Sequence, residues 1–279
     1  MAYYRPTLLK EALEFLKEHK NSIIPLAGCT DLSVAKHRGD LKAENYLDLT
    51  FIQNLNVIKE EDEFLFIGPL VTHSQAAASP VLHEKGAILS QACATVGSPQ
   101  IRNRGTVGGN ICHGSPSGDS IPAFYTLNSE LKLQNEDGER WIQISDFFTG
   151  PGKTVRKNDE LLTAIRFKPL SQDYFCLYQK LGQRKSLACS KASVAFVAKK
   201  ENARIADVRI AMGAVAPTVI RASKTEEFLA GKQITPELIK KASEMIQDEV
   251  TPIDDLRSTA CYRKKMMGVL LEKVLEKLK

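Results

Sequence analysis

The chain has 279 residues, 43% hydrophobic and 25% charged, which is the composition of a globular protein with two or three packed units and not of a disordered chain. No window approaches the roughly 20 apolar residues of a membrane helix, and the opening MAYYRPTLLKEALEF lacks the zones of a secretion signal, so a cytoplasmic protein without membrane insertion is expected. The formal charge of +5 sits at the end, where Arg257, Arg263, Lys264, Lys265, Lys273, Lys277 and Lys279 outweigh Glu272 and Glu276; aromatic residues are not interleaved with them, which argues against nucleic acid and for a basic helix end.

Taken in order, Thr7 is placed to cap a helix whose inward positions are Leu9, Ala12, Leu13 and Leu16, ending before Asn21. A strand over 22–27 then runs into PLAGCTDL (25–32), an amphipathic helix follows over 31–38, and a second strand over 46–49 completes a small α/β unit. Residues 57–58 and 64–67 flank an acidic tip and predict a hairpin; 81–96 has helical spacing throughout. Next comes VGSPQIRNRGTVGGNICHGSPSGD (96–119), rich in Gly, Pro and small polar residues, which reads either as a long surface loop with ordinary turns or as an ordered loop wrapped around a ligand, its glycines bringing bare backbone close to a phosphate or pyrophosphate; the similar segment at 25–32 favours the second.

A short helix over 121–127, strands over 131–133 and 141–144 joined by the turn at Asn135 to Gly138, a Gly/Pro loop over 147–154 and a strand over 161–167 follow. Pro169 and Ser171 mark a boundary. Beyond it come three longer strands (175–181, 192–198 and 205–214) and then three helices (225–229, 236–250 and 256–278), an α+β unit with helices on one face of an antiparallel sheet.

The six cysteines show no C-x-x-C pair, so no zinc or iron–sulfur ligand run is visible and no metal is expected. There is no G-x-G-x-x-G, and Gly152-Lys153-Thr154 fails as a phosphate loop because Phe147 stands where its first glycine belongs. The two Gly-rich segments must therefore bind any nucleotide in another fold. His113 and Cys112 lie within the second of them, and both read better as loop residues than as catalytic groups.

PLAGCTDL, VGSPQIRNRGTVGGNICHGSPSGDSIPAF, DFFTGPGKT, YQKLGQRK and the closing LRSTACYRKKMMGVLLEKVL together resemble the FAD-binding subunit of the xanthine dehydrogenase family of molybdenum hydroxylases, over essentially the whole chain. The resemblance implies an α+β protein: a two-subdomain FAD-binding fold of the vanillyl-alcohol oxidase type at 1–170 (subdomains about 1–54 and 55–170), then a C-terminal α+β domain at 171–279 with a three-stranded antiparallel sheet and helices. It also implies that Pro25, Leu26, Ala27, Gly28, Cys29, Thr30, Asp31 and Leu32 cradle the FAD pyrophosphate, and that Thr106, Gly108, Gly109 and Asn110 close over it. Asp119 would bond the ribityl or phosphate side, Val96 would line the cleft, Leu162 and Ile165 would pack near the ring system, and Lys180 would meet the flavin from the C-terminal domain.

Family members usually carry Gly where this chain has Cys29. The Cys-rich insertion of relatives that reduce aromatic acyl-CoA thioesters is absent, which excludes their extra cluster. The implied activity is electron transfer, from [2Fe-2S] clusters of a small subunit fed by a molybdenum-cofactor large subunit, through FAD, to an acceptor such as NAD, with no catalytic acid or base required of this chain. A self-contained flavin reductase or oxidase, and a flavin-free scaffold subunit, are the alternatives.

Overall fold

A computed structural model describes residues 2–19, 22–41, 45–184 and 186–279. Asn21, the expected end of the first helix, and Lys185, the last residue of YQKLGQRK, lie outside the described residues. The first unit comprises β1 (Ala2–Tyr4), α1 (Leu9–His19), β2 (Ile23–Leu26), α2 (Leu32–Arg38) and β3 (Asn45–Asp48), with the strands parallel in the order β1-β3-β2. Ala12, Leu13 and Leu16 bury the inner stripe of α1 against Ile23 and Leu47. The first turn of α1 is satisfied by the Glu11 carboxylate, which accepts from the Thr7 and Leu8 N–H groups at 3.1 and 3.2 Å, where the sequence pointed to Thr7 as the cap. β1 has no sequence signal beyond two tyrosines.

The second unit starts with the hairpin β4 (Ile58–Glu61) and β5 (Phe64–Ile67), continues through α3 (His73–Ala78), α4 (Pro80–Lys85), α5 (Ala87–Ala94), α6 (Pro99–Arg104), α7 (Val107–His113) and α8 (Ser120–Thr126), and adds β6 (Glu130–Asn135), β7 (Gly138–Gln143), the small hairpin β8 (Phe148–Gly150) and β9 (Lys153–Thr154), and β10 (Leu161–Phe167). The sheet order β4-β5-β10-β6-β7 is antiparallel throughout. Its inner face, with Leu65, Ile67, Leu131 and Ile165, packs on the helices. On the outer face the Arg166 guanidinium lies 4.0 Å from the Trp141 ring centroid and 4.3 Å from that of Phe64, a cation–π stack. The continuous helix expected over 81–96 is two helices, because the Phe167 ring comes to 2.9 Å of where a Cβ on Gly86 would sit, and the chain bends at that glycine.

The third unit is the antiparallel sheet β11 (Tyr174–Leu181), β12 (Ala192–Glu201), β13 (Arg204–Gly213) and β14 (Ile220–Arg221), with α9 (Ser223–Leu229), α10 (Pro236–Asp248) and α11 (Ala260–Leu278). The two-residue β14 joins the three strands expected. α11 starts four residues later than its apolar pattern because Asp255 folds the chain into a turn, accepting from the Arg257 and Ser258 N–H groups, and Thr259 then caps the helix. Among the described residues no helix is long and apolar enough to cross a membrane.

The third sheet is covered on both faces, not one. Val194, Phe196, Ile210 and Met212 face α10 and α11, while Ala195, Val197 and Ala211 belong to the same core as α5 and α8 of the second unit. That is why β12 reads as a nearly unbroken apolar run and not as an alternation. Cutting the chain at the boundary therefore strips one wall from each side. A fragment of residues 1–170 should bind an apolar-surface dye and melt without a sharp transition; a monomeric fragment with cooperative melting would contradict the shared core.

Candidate functional site

The first Gly-rich segment leaves β2 at Leu26, turns through Ala27, Gly28, Cys29, Thr30 and Asp31, and enters α2 at Leu32. Cys29 has φ +60°, the left-handed region that a β-carbon disfavours by about 1–2 kcal/mol. Among the described residues, the N–H groups of Gly28, Cys29, Thr30 and Asp31 meet no acceptor, which leaves a nest of four successive unpaired donors. The Cys29 thiol points back to the Ala27 carbonyl at 3.4 Å, and burial pushes its pKa up, which makes it a packed thiol.

The second segment is not a loop. Ser98 caps α6, its hydroxyl accepting from the Ile101 N–H at 3.2 Å with Pro99 in the first helical position, and Thr106 caps α7, accepting from the Gly109 N–H at 3.0 Å. The Gly, Pro, Ser and Thr that suggested irregular structure are helix ends and close contacts. A Cβ on Gly108 would lie 2.4 Å from Pro69 Cβ. A Cβ on Gly28 would lie 1.9 Å from the Arg104 carbonyl oxygen, so the two segments meet backbone against backbone.

The two segments differ in the backbone donors they offer. The N–H groups of Val107, Gly108, Gly109 and Asn110 are bonded to Val71, Pro69, the Thr106 hydroxyl and the Thr106 carbonyl, and are not available to a ligand. Asn110 is also engaged through its side chain, which accepts from the Ser120 hydroxyl at 2.8 Å. Val96 is half-buried at the start of the segment, with its carbonyl accepting from Arg102 at 2.9 Å. Leu162 and Ile165 lie in the core of the second unit. Ile165 is 0% exposed between Ile67 and Leu131.

Asp119 and Lys180, read separately from the sequence, are each other's partners. Lys180 Nζ donates to Asp119 at 2.5 Å and to the Thr95 carbonyl at 3.2 Å, while Tyr178 and Ser190 donate to the other Asp119 oxygen at 3.1 and 2.6 Å. Both members of this ion pair are buried, at 7 and 12% side-chain exposure, and it joins the third unit to the α7–α8 link. Burial and the Asp119 charge hold the Tyr178 phenol well above its ordinary pKa. Tyr178 and Ser190 were missed by the sequence reading. Tyr178 had a signal: it stands two residues before Lys180 on a strand, which puts both side chains on one face.

Across the junction, His113 Nδ1 lies 3.0 Å from the Asp31 carboxylate, with both side chains about half exposed. Each perturbs the other: the carboxylate raises the His113 pKa above 6.5, and the imidazole lowers that of Asp31 below 3.8. The pair is complete between those two midpoints. Its contribution to stability is lost as pH rises through the His113 midpoint and as pH falls through that of Asp31. Proton NMR of the ring should place the His113 midpoint above 6.5, and Asp31→Asn should lower it; an unmoved midpoint would remove the pairing.

Against known proteins, residues 1–169 match the FAD binding domain in molybdopterin dehydrogenase, and residues 178–278 match the CO dehydrogenase flavoprotein C-terminal domain. The glyceraldehyde dehydrogenase medium chain of Sulfolobus acidocaldarius is 30% identical over 99% of this chain and 98% of its own, and the carbon monoxide dehydrogenase medium chain of Hydrogenophaga pseudoflava is 29% identical over 98 and 95%. A solved structure of carbon monoxide dehydrogenase from the latter organism superposes with a TM-score of 0.95 at 28% identity, covering 99% of this chain and 96% of that one. The chain belongs to the FAD-binding medium subunits of the molybdenum hydroxylases, oxidoreductases of the xanthine and carbon monoxide dehydrogenase type.

Proposed function

We propose that the cleft where residues 25–32 meet α6 and α7 holds the FAD pyrophosphate, and that the chain relays electrons from partner subunits to an acceptor. The observation that carries this reading is the row of four successive N–H groups from Gly28 to Asp31 that meet no acceptor among the described residues, in a turn that includes the left-handed Cys29. A doubly charged pyrophosphate is the ligand that such a row suits, and the residues present fit it. Pro25, Leu26 and Ala27 deliver the chain into the nest, and Thr30 and Leu32 complete it. Thr106, Gly108, Gly109 and Asn110 close over it from the facing wall, where the Thr106 hydroxyl and the Asn110 side-chain NH2 are the donors left to the ligand. Val96 lines the cleft, and Leu162 and Ile165 pack near the ring system.

Bound there, FAD would supply the ability to take electrons one at a time and release them in pairs. The task of the chain is to hold and orient. Asp119 and Lys180 clamp the C-terminal domain (171–279) against the FAD-binding domain (1–170, subdomains about 1–54 and 55–170), and place an ammonium group at the Thr95 carbonyl. From membership of the family we assign the electron source to [2Fe-2S] clusters of a small subunit fed by a molybdenum-containing large subunit, the acceptor to NAD, and the place of work to the cytoplasm.

Titration of the purified chain should give stoichiometric FAD binding. Gly28→Ala should abolish it, because the new methyl group collides with the Arg104 carbonyl, while Cys29→Gly should keep it and raise stability by about 0.5–1 kcal/mol. FAD binding unaffected by Gly28→Ala would overturn the reading. Lys180→Met leaves the Asp119 carboxylate buried without its cation and should cost about 3–5 kcal/mol in denaturant unfolding. Adding Asp119→Asn to it should recover part of that loss; simple additivity of the two would show that the pair is not coupled.

A further inference from the structure

His73 is the first residue of α3, directly behind the junction of the two segments. Its N–H donates to the Gly105 carbonyl at 3.0 Å, and its neighbour Thr72 bridges Thr106. The residue is 2% exposed, and its Nδ1 is enclosed without a hydrogen-bond partner. A Cβ built on Gly105 would lie 3.3 Å from His73 Cδ2 and 3.4 Å from Thr30 Oγ1, so one edge of the imidazole and the hydroxyl of the nest border the same point.

The interior gives this residue no reason to be histidine. A buried polar atom left unpaired costs stability, and a phenyl ring would fill the same space without that cost. Burial pushes the ring pKa down to about 4; Asp31 pulls it up and Arg102 pushes it further down, so the imidazole is neutral at pH 7 with one N–H and one lone pair. Leaving a lone pair at the enclosed Nδ1 is the cheaper arrangement, and it puts the proton on Nε2, which is bonded to the nest-facing Cδ2.

We propose that His73 is a further FAD-binding residue, whose Nε2–H donates to the phosphate side of FAD held in the nest. The inference rests on the FAD reading of that nest. It explains why a polar ring is kept where the fold alone favours an apolar one: the donor is pre-placed in the flavin-free protein and finds its acceptor only when the cofactor enters.

The test separates fold from ligand. His73→Phe removes the donor and keeps the ring, so the flavin-free protein should melt at the wild-type temperature or higher, while FAD, followed by fluorescence quenching, binds roughly tenfold or more weakly. His73→Gln keeps an N–H donor and should bind FAD more tightly than the Phe variant. Wild-type FAD affinity in His73→Phe overturns the proposal, as does a Gln variant that loses FAD as fully as Phe, or a Phe variant whose flavin-free form is destabilised in step with its loss of affinity. Failure of the wild-type chain itself to bind FAD overturns the FAD reading along with it.

Discussion

At Gly28 the first segment lies so close to the Arg104 carbonyl that no side chain fits between them. That contact sets the geometry of the site. It locks the turn after β2 against the end of α6, fixes Gly105 between Thr30 and His73, and brings Asp31 within reach of His113. A row of N–H groups binds an anion well only if it does not have to reorganise, and the fit of backbone against backbone removes that freedom. Cys29 fits the same scheme: its left-handed conformation is strained for a residue with a side chain, and it is held because the surroundings allow no other path.

The second constraint is the sheet β11–β14, which carries two cores at once. One face belongs to the C-terminal helices and the other to α5 and α8, so the two domains share buried surface and do not merely touch. On that shared face the Asp119–Lys180 pair is satisfied on every side, with Tyr178 and Ser190 on the carboxylate and the Thr95 carbonyl on the ammonium. A buried pair of this kind contributes less net stability than its attraction suggests, but it tolerates only one arrangement of the two domains. A backbone contact thus fixes the junction of the two segments, and an ion pair fixes the interface of the two domains.

Much of this was legible in the chain itself. The stripe of α1, the hairpin with its acidic tip, the two α/β and α+β blocks and the pair of Gly-rich segments all follow from periodicity and turn residues. Where the reading failed, the cause was tertiary. Residues 96–119 have the composition of a loop because Ser98-Pro99 and Thr106 are helix caps and Gly108 serves a close approach to Pro69, a residue far off in sequence. Gly86 breaks a regular helical pattern because Phe167 needs the space.

By itself, then, the sequence determined the element types, the two segments that make the cleft and the family, because these depend on local periodicity and on short motifs kept intact. Which N–H groups are free, which carboxylate meets which cation and which histidine is left without a partner were decided only by the tertiary structure. A hydrogen bond depends on positions a few ångströms apart, and those positions are set by residues such as Pro69, Arg104 and Lys180 that approach the cleft from distant parts of the chain.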